Sequence, residues 1–237
     1  MPWFHAVAER YHDIQSPISG DKIRLLGERI GLRPGRRVLD IACGRGGPAI
    51  VLASSFGCRV VGVERSNEFV TAARERTAAA GLQELITIHE QDAAGFSIEA
   101  EQWDAALCLG ASWIWDGLEG TVAALMRGVR PGGHVAVGEV YLRAEAGDGE
   151  GEFASLADTV RRFERAGPPV TTLITASEED WDAYESLHWA SLEEWLAENA
   201  EDPGAAEIRS EHEKWKWRYL EHGREADGWA IFAGQKC

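Results

Sequence analysis

Cysteine is scarce: four residues in 237, at positions 43, 58, 108 and 237, with no two in a CxxC pair. That excludes a disulfide framework and leaves a structural zinc site without its usual ligands. No group of metal-ligating residues stands at a binding spacing, so no metal is expected. Long apolar runs are also absent, and none approaches the roughly 20 residues needed to cross a bilayer. The opening MPWFHAVAERYHD lacks the basic start and apolar stretch of a secretory leader. These absences predict a cytoplasmic protein with reduced thiols and no membrane partner. Basic charge is short as well: 24 Lys and Arg stand against 39 Asp and Glu, a formal net charge of −15. Most of the excess follows residue 143, where 22 acids meet 9 bases. Such a surface repels phosphate backbones, so no nucleic-acid partner is expected.

What is present points to a folded enzyme-sized domain. A hydrophobic fraction of 45% and ten Trp exclude disorder. The length suits one α/β domain rather than two. Ser19 to Ile30 predicts a helix capped by Ser19 and followed by Gly31. Apolar runs at 37–42, 59–64, 85–90, 103–109 and 134–140 predict buried strands. Helices are expected between them, at 48–56, 67–80 and 118–129. This alternation predicts an α/β fold: a doubly wound, mostly parallel seven-stranded sheet with helices on both faces.

Beyond residue 143 the pattern changes. Ala144 to Gly151 is rich in Gly and acid and reads as a mobile loop. A helix at 153–166 and a strand at 170–175 follow. A helical insertion at about 177–224 then precedes the last strand, 229–233. Trp181, Tyr184, His188, Leu192 and Trp195 fall on one stripe of its first helix. The expected organisation is one domain: a helical flap at 1–36, a cofactor-binding core at 37–143, and C-terminal strands with their insertion at 144–237.

The most informative stretch is VLDIACGRGG, residues 38–47, a buried strand running into a glycine turn and then a helix. Glycines let a backbone approach a ligand closely and take positive φ. Asp40 lies inside the strand. Glu64 ends the next strand, about twenty residues on, where a carboxylate can accept both ribose hydroxyls. A dinucleotide site has the same parts, so these features alone leave NAD and S-adenosylmethionine (SAM) open. An acid after strand three, Asp92, can take an adenine amino group. A carbonyl after strand four, at Leu109, can take an ammonium.

The ordered series VLDIACGRGG, VVGVERS, HEQDAA, WDAALCLGASW and LMRGVRPGGHVAVGEVY resembles the class I SAM methyltransferases across residues 37–141. The YHDIQSPIS start and the WDAYESLHWASLEEWLAEN…GWAIF ending are similar to a subgroup of bacterial small-molecule methyltransferases. The resemblance implies SAM as cofactor and a small-molecule acceptor. It implies that Asp40 and the loop of Ala42, Gly44 and Gly46 hold the methionine part, and that Glu64 holds the ribose. Arg65 would flank the adenine, Asp92 and the Ala93 amide would read its edge, and the Leu109 carbonyl would take the ammonium. Ala42 is a departure, since many members have glycine there; its methyl stands near the cofactor.

On the acceptor side, His12 is the first candidate base. Glu139, with Tyr141 nearby, is expected beside the methyl position at the end of the fifth strand. Tyr11, Trp113, Trp115 and Tyr184 are candidate acceptor contacts, since aromatic walls exclude water and stabilise positive charge. The expected activity is in-line methyl transfer from SAM to a small molecule, by a monomer or homodimer. A SAM-fold protein with a non-methylating reaction is the alternative, and an NAD-dependent oxidoreductase a weaker one.

Overall fold

The computed structural model describes residues 2–143 and 153–237, with Pro2 and Trp3 as backbone only. The expected loop at 144–151 lies outside the described residues. The chain opens with α1 (Pro2–Ala8), a helix that the apolar periodicity did not predict. Helix α2 (Gly20–Arg29) follows, with the Ser19 hydroxyl accepting from the Lys22 amide as its cap. The α/β core then runs β1 (Arg37–Ile41), α3 (Gly47–Phe56), β2 (Arg59–Glu64), α4 (Asn67–Ala79), β3 (Ile86–Glu90), β4 (Trp103–Leu109), α5 (Leu118–Gly128) and β5 (Val129–Leu142). Beyond it stand α6 (Leu156–Ala166), β6 (Thr172–Thr175), α7 (Glu178–Glu198), α8 (Ala205–Arg218) and β7 (Asp227–Gln235).

The seven strands form one sheet in the order β3-β2-β1-β4-β5-β7-β6. Strands β1 to β5 pair in parallel, and β7 runs antiparallel between β5 and β6. Alternate side chains feed the two faces. Val38 and Leu107 join Ile23, Leu26, Leu52 and Val70 under α2, α3 and α4. Leu39 and Ile41 join Leu118, Val122, Leu125 and Phe163 under α5 and α6. Fully burying each such side chain stabilises the fold by about 1.5–3 kcal/mol. The order reverses between β1 and β4, and their carboxyl ends open the crevice where ligands of such sheets bind.

A third, smaller core lies off the sheet. Phe4 and Ala8 of α1 pack with Leu192 and Leu196 of α7 and Ala205 and Ile208 of α8. The insertion therefore folds against the N-terminus. Ser177 and Asp180 form a full capping box at the start of α7, as its sequence spacing predicts. The second late helix leaves the regular α form after Arg218, and helical backbone continues to Ala226. It winds into a π turn over Tyr219–Gly223. That turn buries Tyr219, whose hydroxyl donates to Asp182 at 2.7 Å.

The opposite rim of the sheet is tied by Asp104. Its carboxylate accepts the Arg37 amide at 2.8 Å and pairs with the guanidinium groups of Arg36 and Arg130. Burial alone would raise its pKa; the Arg37 amide, Arg36 and Arg130 outweigh that and hold it below the usual carboxylate value. A carboxylate depressed in this way stabilises fully above its unfolded pKa of about 3.9. The contribution is lost as pH falls through the lowered value. Asp104→Asn should therefore cost roughly 1.5–3 kcal/mol at neutral pH and much less under strongly acid conditions. Urea melts across pH check this, and an equal cost at all pH values would refute it.

Candidate active site

The glycine loop fits a close-approaching ligand. Ala42, Gly44 and Gly46 all adopt positive φ, at 53°, 53° and 76°. Left-handed backbone at a non-glycine residue is costly, so Ala42 holds strain that its neighbours must over-determine. Gly46 caps α3 and Pro48 occupies its first turn, so the helix starts at once and aims its free amides at the crevice. Asp40 is fully buried below the loop, and its Oδ2 has no hydrogen-bond partner. Burial, and then the Glu64 charge, push its carboxyl up to about 7. An orphaned buried oxygen at a strand end is a position waiting for a donor.

Glu64 is buried and occupied. Its carboxylate accepts the amides of Gly44 at 3.1 Å and of Arg65 and Ser66 at 2.8 Å each. A carboxylate offers about four acceptor positions, so one remains, on Oε2. Arg65 is exposed. Asp92 caps the short turn Ala93–Gly95, accepting the Ala94 amide at 2.9 Å, and stands exposed beside the buried Ala93.

Residues 13–16 form a strap across the loop. Gln15 Oε1 accepts the Arg45 amide at 3.1 Å, and the Ser16 hydroxyl donates to the Leu109 carbonyl at 2.9 Å. The Leu109 carbonyl thus already has one donor and keeps a second lone pair. Arg76 holds the strap from outside, donating to the Asp13 carbonyl at 3.0 Å. Sequence reasoning missed Gln15 and Ser16. Their one signal is the polar pair Gln15-Ser16 set between an aromatic helix and the Ser19 cap.

At the far side of the crevice, Glu139 accepts its neighbour's amide, Val140 N–H, at 3.0 Å and also pairs with the Ser112 hydroxyl. Tyr141 is buried in the core beneath Gly228, whose added Cβ would lie 2.3 Å from the Tyr141 ring. Trp113 is 70% exposed and Trp115 packs on the core under α5. Tyr11 is 50% exposed, with its hydroxyl donating to Glu194 at 2.6 Å.

His12 is completely buried, and its ring meets Tyr184 and His188 at centroid distances of 4.8 and 4.3 Å. Its Nε2 lies 2.9 Å from the Tyr184 carbonyl, which can only accept. Nε2 therefore carries the hydrogen, and Nδ1 presents a buried lone pair with no partner. Burial, then His188, push His12 down to about 4, against the Tyr184 carbonyl. It stays neutral at physiological pH.

Tyr184 and His188 also line a cavity of about 270 Å³ between α1, α7 and α8, which Val140 of β5 closes toward the sheet. Glu9 stands in its wall, and the Tyr184 hydroxyl donates to it at 3.5 Å. Burial pushes Glu9 up to about 7, partly opposed by His188 and the Tyr184 hydroxyl. The Glu64 charge contributes to that rise, so the cavity lies within electrostatic reach of the crevice. Glu9 gave no sequence signal: it is one acid in a short helix that the pattern did not reveal. Another hollow, of about 340 Å³, opens beside Arg33, Arg36 and Asp104 at the other rim, away from the glycine loop.

Comparison with known proteins agrees with this geometry. Residues 38–133 match the family described as a methyltransferase domain. The Escherichia coli K12 protein YjhP, itself described as uncharacterized, is 32% identical over 243 residues, covering 98% of each chain. A SAM-dependent methyltransferase from Geobacter sulfurreducens, solved with S-adenosylhomocysteine, is 31% identical with a TM-score of 0.92. It aligns over 98% of this chain and 97% of its own. A SAM-dependent methyltransferase from Thiobacillus denitrificans, solved with the same ligand, is also 31% identical, with a TM-score of 0.92 over 98% of both chains. These likenesses set aside the NAD-dependent alternative. The chain belongs to the SAM-dependent methyltransferases, with SAM as its methyl donor.

Proposed function

We propose that the enzyme methylates a small-molecule acceptor held in the cavity between α1, α7 and α8. The observation that carries this reading is the cavity itself. It is aromatic-walled and sized for a small organic molecule, and two of its wall residues, Tyr184 and His188, pack on the buried His12 ring. When bound, SAM supplies an activated methyl group on sulfur for in-line displacement, leaving S-adenosylhomocysteine.

The residues have separable tasks. Asp40 offers its orphaned oxygen, and the loop of Ala42, Gly44 and Gly46 offers close backbone approach, to the methionine part. Glu64 takes the ribose with its remaining acceptor position. Arg65, Asp92 and the Ala93 amide frame the adenine, and Leu109 receives the ammonium on its second lone pair. His12 acts through the cavity wall: its buried ring packs on Tyr184 and His188 and fixes their positions. Glu139 orients the rim after β4 through Ser112. Orientation in a dry site is the main demand of such a displacement.

The test pairs a metabolite screen with one wall substitution. Release of S-adenosylhomocysteine should follow addition of the right small acceptor. Tyr184→Ala should raise KM for that acceptor roughly 10-fold, through lost pocket contact worth about 1–3 kcal/mol. The His12 bond to the residue 184 carbonyl is main chain at its acceptor end and survives the change. S-adenosylhomocysteine affinity should hold. A lowered melting temperature with unchanged kinetics would instead make Tyr184 part of a structural bundle.

A further inference from the structure

Aromatic faces and carboxylates share the walls of the α1–α7–α8 cavity; Lys216 Nζ answers one of the faces, lying 5.2 Å from the centre of the Trp189 ring. Trp181, Trp189 and Tyr219 stand on one side, with the Trp181 and Tyr219 rings stacked at 6.2 Å. Phe4 and Trp215, 6.0 Å apart, stand on another. Such faces carry negative quadrupole charge and attract cations.

The charged groups can be paired off. Asp227 is answered by Arg218 at 3.3 Å, and His212 bonds to Glu193 at 3.1 Å. Burial lowers the His5 pKa, so that ring is neutral at pH 7. Two carboxylates remain. Glu185, with a side chain only 13% exposed, has His188 at 3.9 Å. Glu9 has the Tyr184 hydroxyl. Among the described residues neither is paired with a lysine or arginine. Buried carboxylates are costly unless a cation or several donors answer them.

We propose that this cavity selects an acceptor bearing an ammonium or other organic cation, held between the aromatic walls with Glu9 and Glu185 as its counter-charges. The inference rests on the cavity being the acceptor pocket. Burial raises the Glu9 pKa, against the pull of His188, the Tyr184 hydroxyl and Arg45, and a cation bound in the cavity would bring it down further.

The experiment measures binding to enzyme saturated with S-adenosylhomocysteine, by tryptophan fluorescence and calorimetry. The probes are phenethyltrimethylammonium, its uncharged tert-butyl isostere, and phenylpropanoate. The cation should bind roughly 10-fold tighter than the isostere, and the anion weakest. Glu9→Gln should erase most of that preference, with S-adenosylhomocysteine affinity unchanged. Glu185→Gln gives the same readout if the first variant folds poorly. Equal binding of cation and isostere, or a preference that survives both variants, overturns the proposal. Turnover of a neutral or anionic acceptor with no cationic one accepted overturns it too, while leaving the methyl-transfer reading intact. If no small acceptor turns over although S-adenosylhomocysteine binds, the acceptor-pocket reading fails, and this inference with it.

Discussion

Replacing Glu64 with alanine is expected to weaken S-adenosylhomocysteine binding roughly 10- to 100-fold, and to lower the stability of the apoprotein as well. The sequence position, at the end of a strand, suggests an acid whose loss the fold would ignore. The structure argues otherwise. The carboxylate gathers three amides, from Gly44, Arg65 and Ser66, and so joins the glycine loop to the start of α4. Hydrogen bonds to a charged group contribute about 1.5–3 kcal/mol, and those aimed at a ligand convert to the stated affinity loss. Part of the remaining cost falls on folding, since the amides must find water in its place. Removing Glu64 also takes away a charge that raises the Asp40 pKa, which partly offsets the stability loss. Calorimetry and thermal melts on the same preparation separate the two effects. A melting temperature that falls while affinity stays fixed would make Glu64 a loop brace with no ligand role. Glu64→Gln, which keeps one acceptor oxygen, should lie between wild type and alanine in both readouts.

The core was legible because its signals are local and repeated. Strands β2 and β4 begin and end where the apolar runs do, and Ser19, Pro48 and Ser177 mark helix starts by their own chemistry. The glycine loop was legible for the same reason: a strand, a turn that needs positive φ, and a helix lie within ten residues. On the proposed acceptor side the sequence singled out His12 and Tyr184 separately but not their contact, because they meet only in three dimensions. Glu9 and Tyr184 are separated by 175 positions, and His12 and Tyr184 by 172. No periodicity links a short N-terminal helix to an insertion near the other end. Side-chain exposure was hidden from the sequence for a related reason. Trp113 follows β4 in the right place for a pocket wall, yet the turn after Ala111 sends its ring into solvent. Tyr11 precedes His12 directly, and the backbone turns their side chains to opposite environments, one exposed and one buried.

Gly47→Ala should reduce turnover roughly 10- to 100-fold and also lower the melting temperature, because the strap must lift from the loop. Gly47 opens α3 with ordinary helical backbone, so alanine brings no conformational strain. The obstacle is the strap. An added Cβ would stand 1.9 Å from the Asp13 carbonyl oxygen and 2.8 Å from Ile14 Cγ1. Main chain cannot yield by a rotamer change, so residues 13 and 14 must lift. Gln15 then draws away from the Arg45 amide and Ser16 from the Leu109 carbonyl, the two bonds that seat the strap on the crevice. His12, anchored one residue earlier, shifts with them. Displacements of about 1 Å near a reacting centre cost on the order of 100-fold in rate. Truncating residues 1–16 would be a blunter probe, since it strips Phe4 and Ala8 from the core beside α7 and destabilises the insertion. Gly20→Ala serves as the control. Its added Cβ would make an ordinary 3.6 Å contact with Val51, and its kinetics should match wild type. Full turnover in Gly47→Ala would mean that the strap can lift without consequence, and that His12 and Ser16 have no part in positioning the acceptor or SAM.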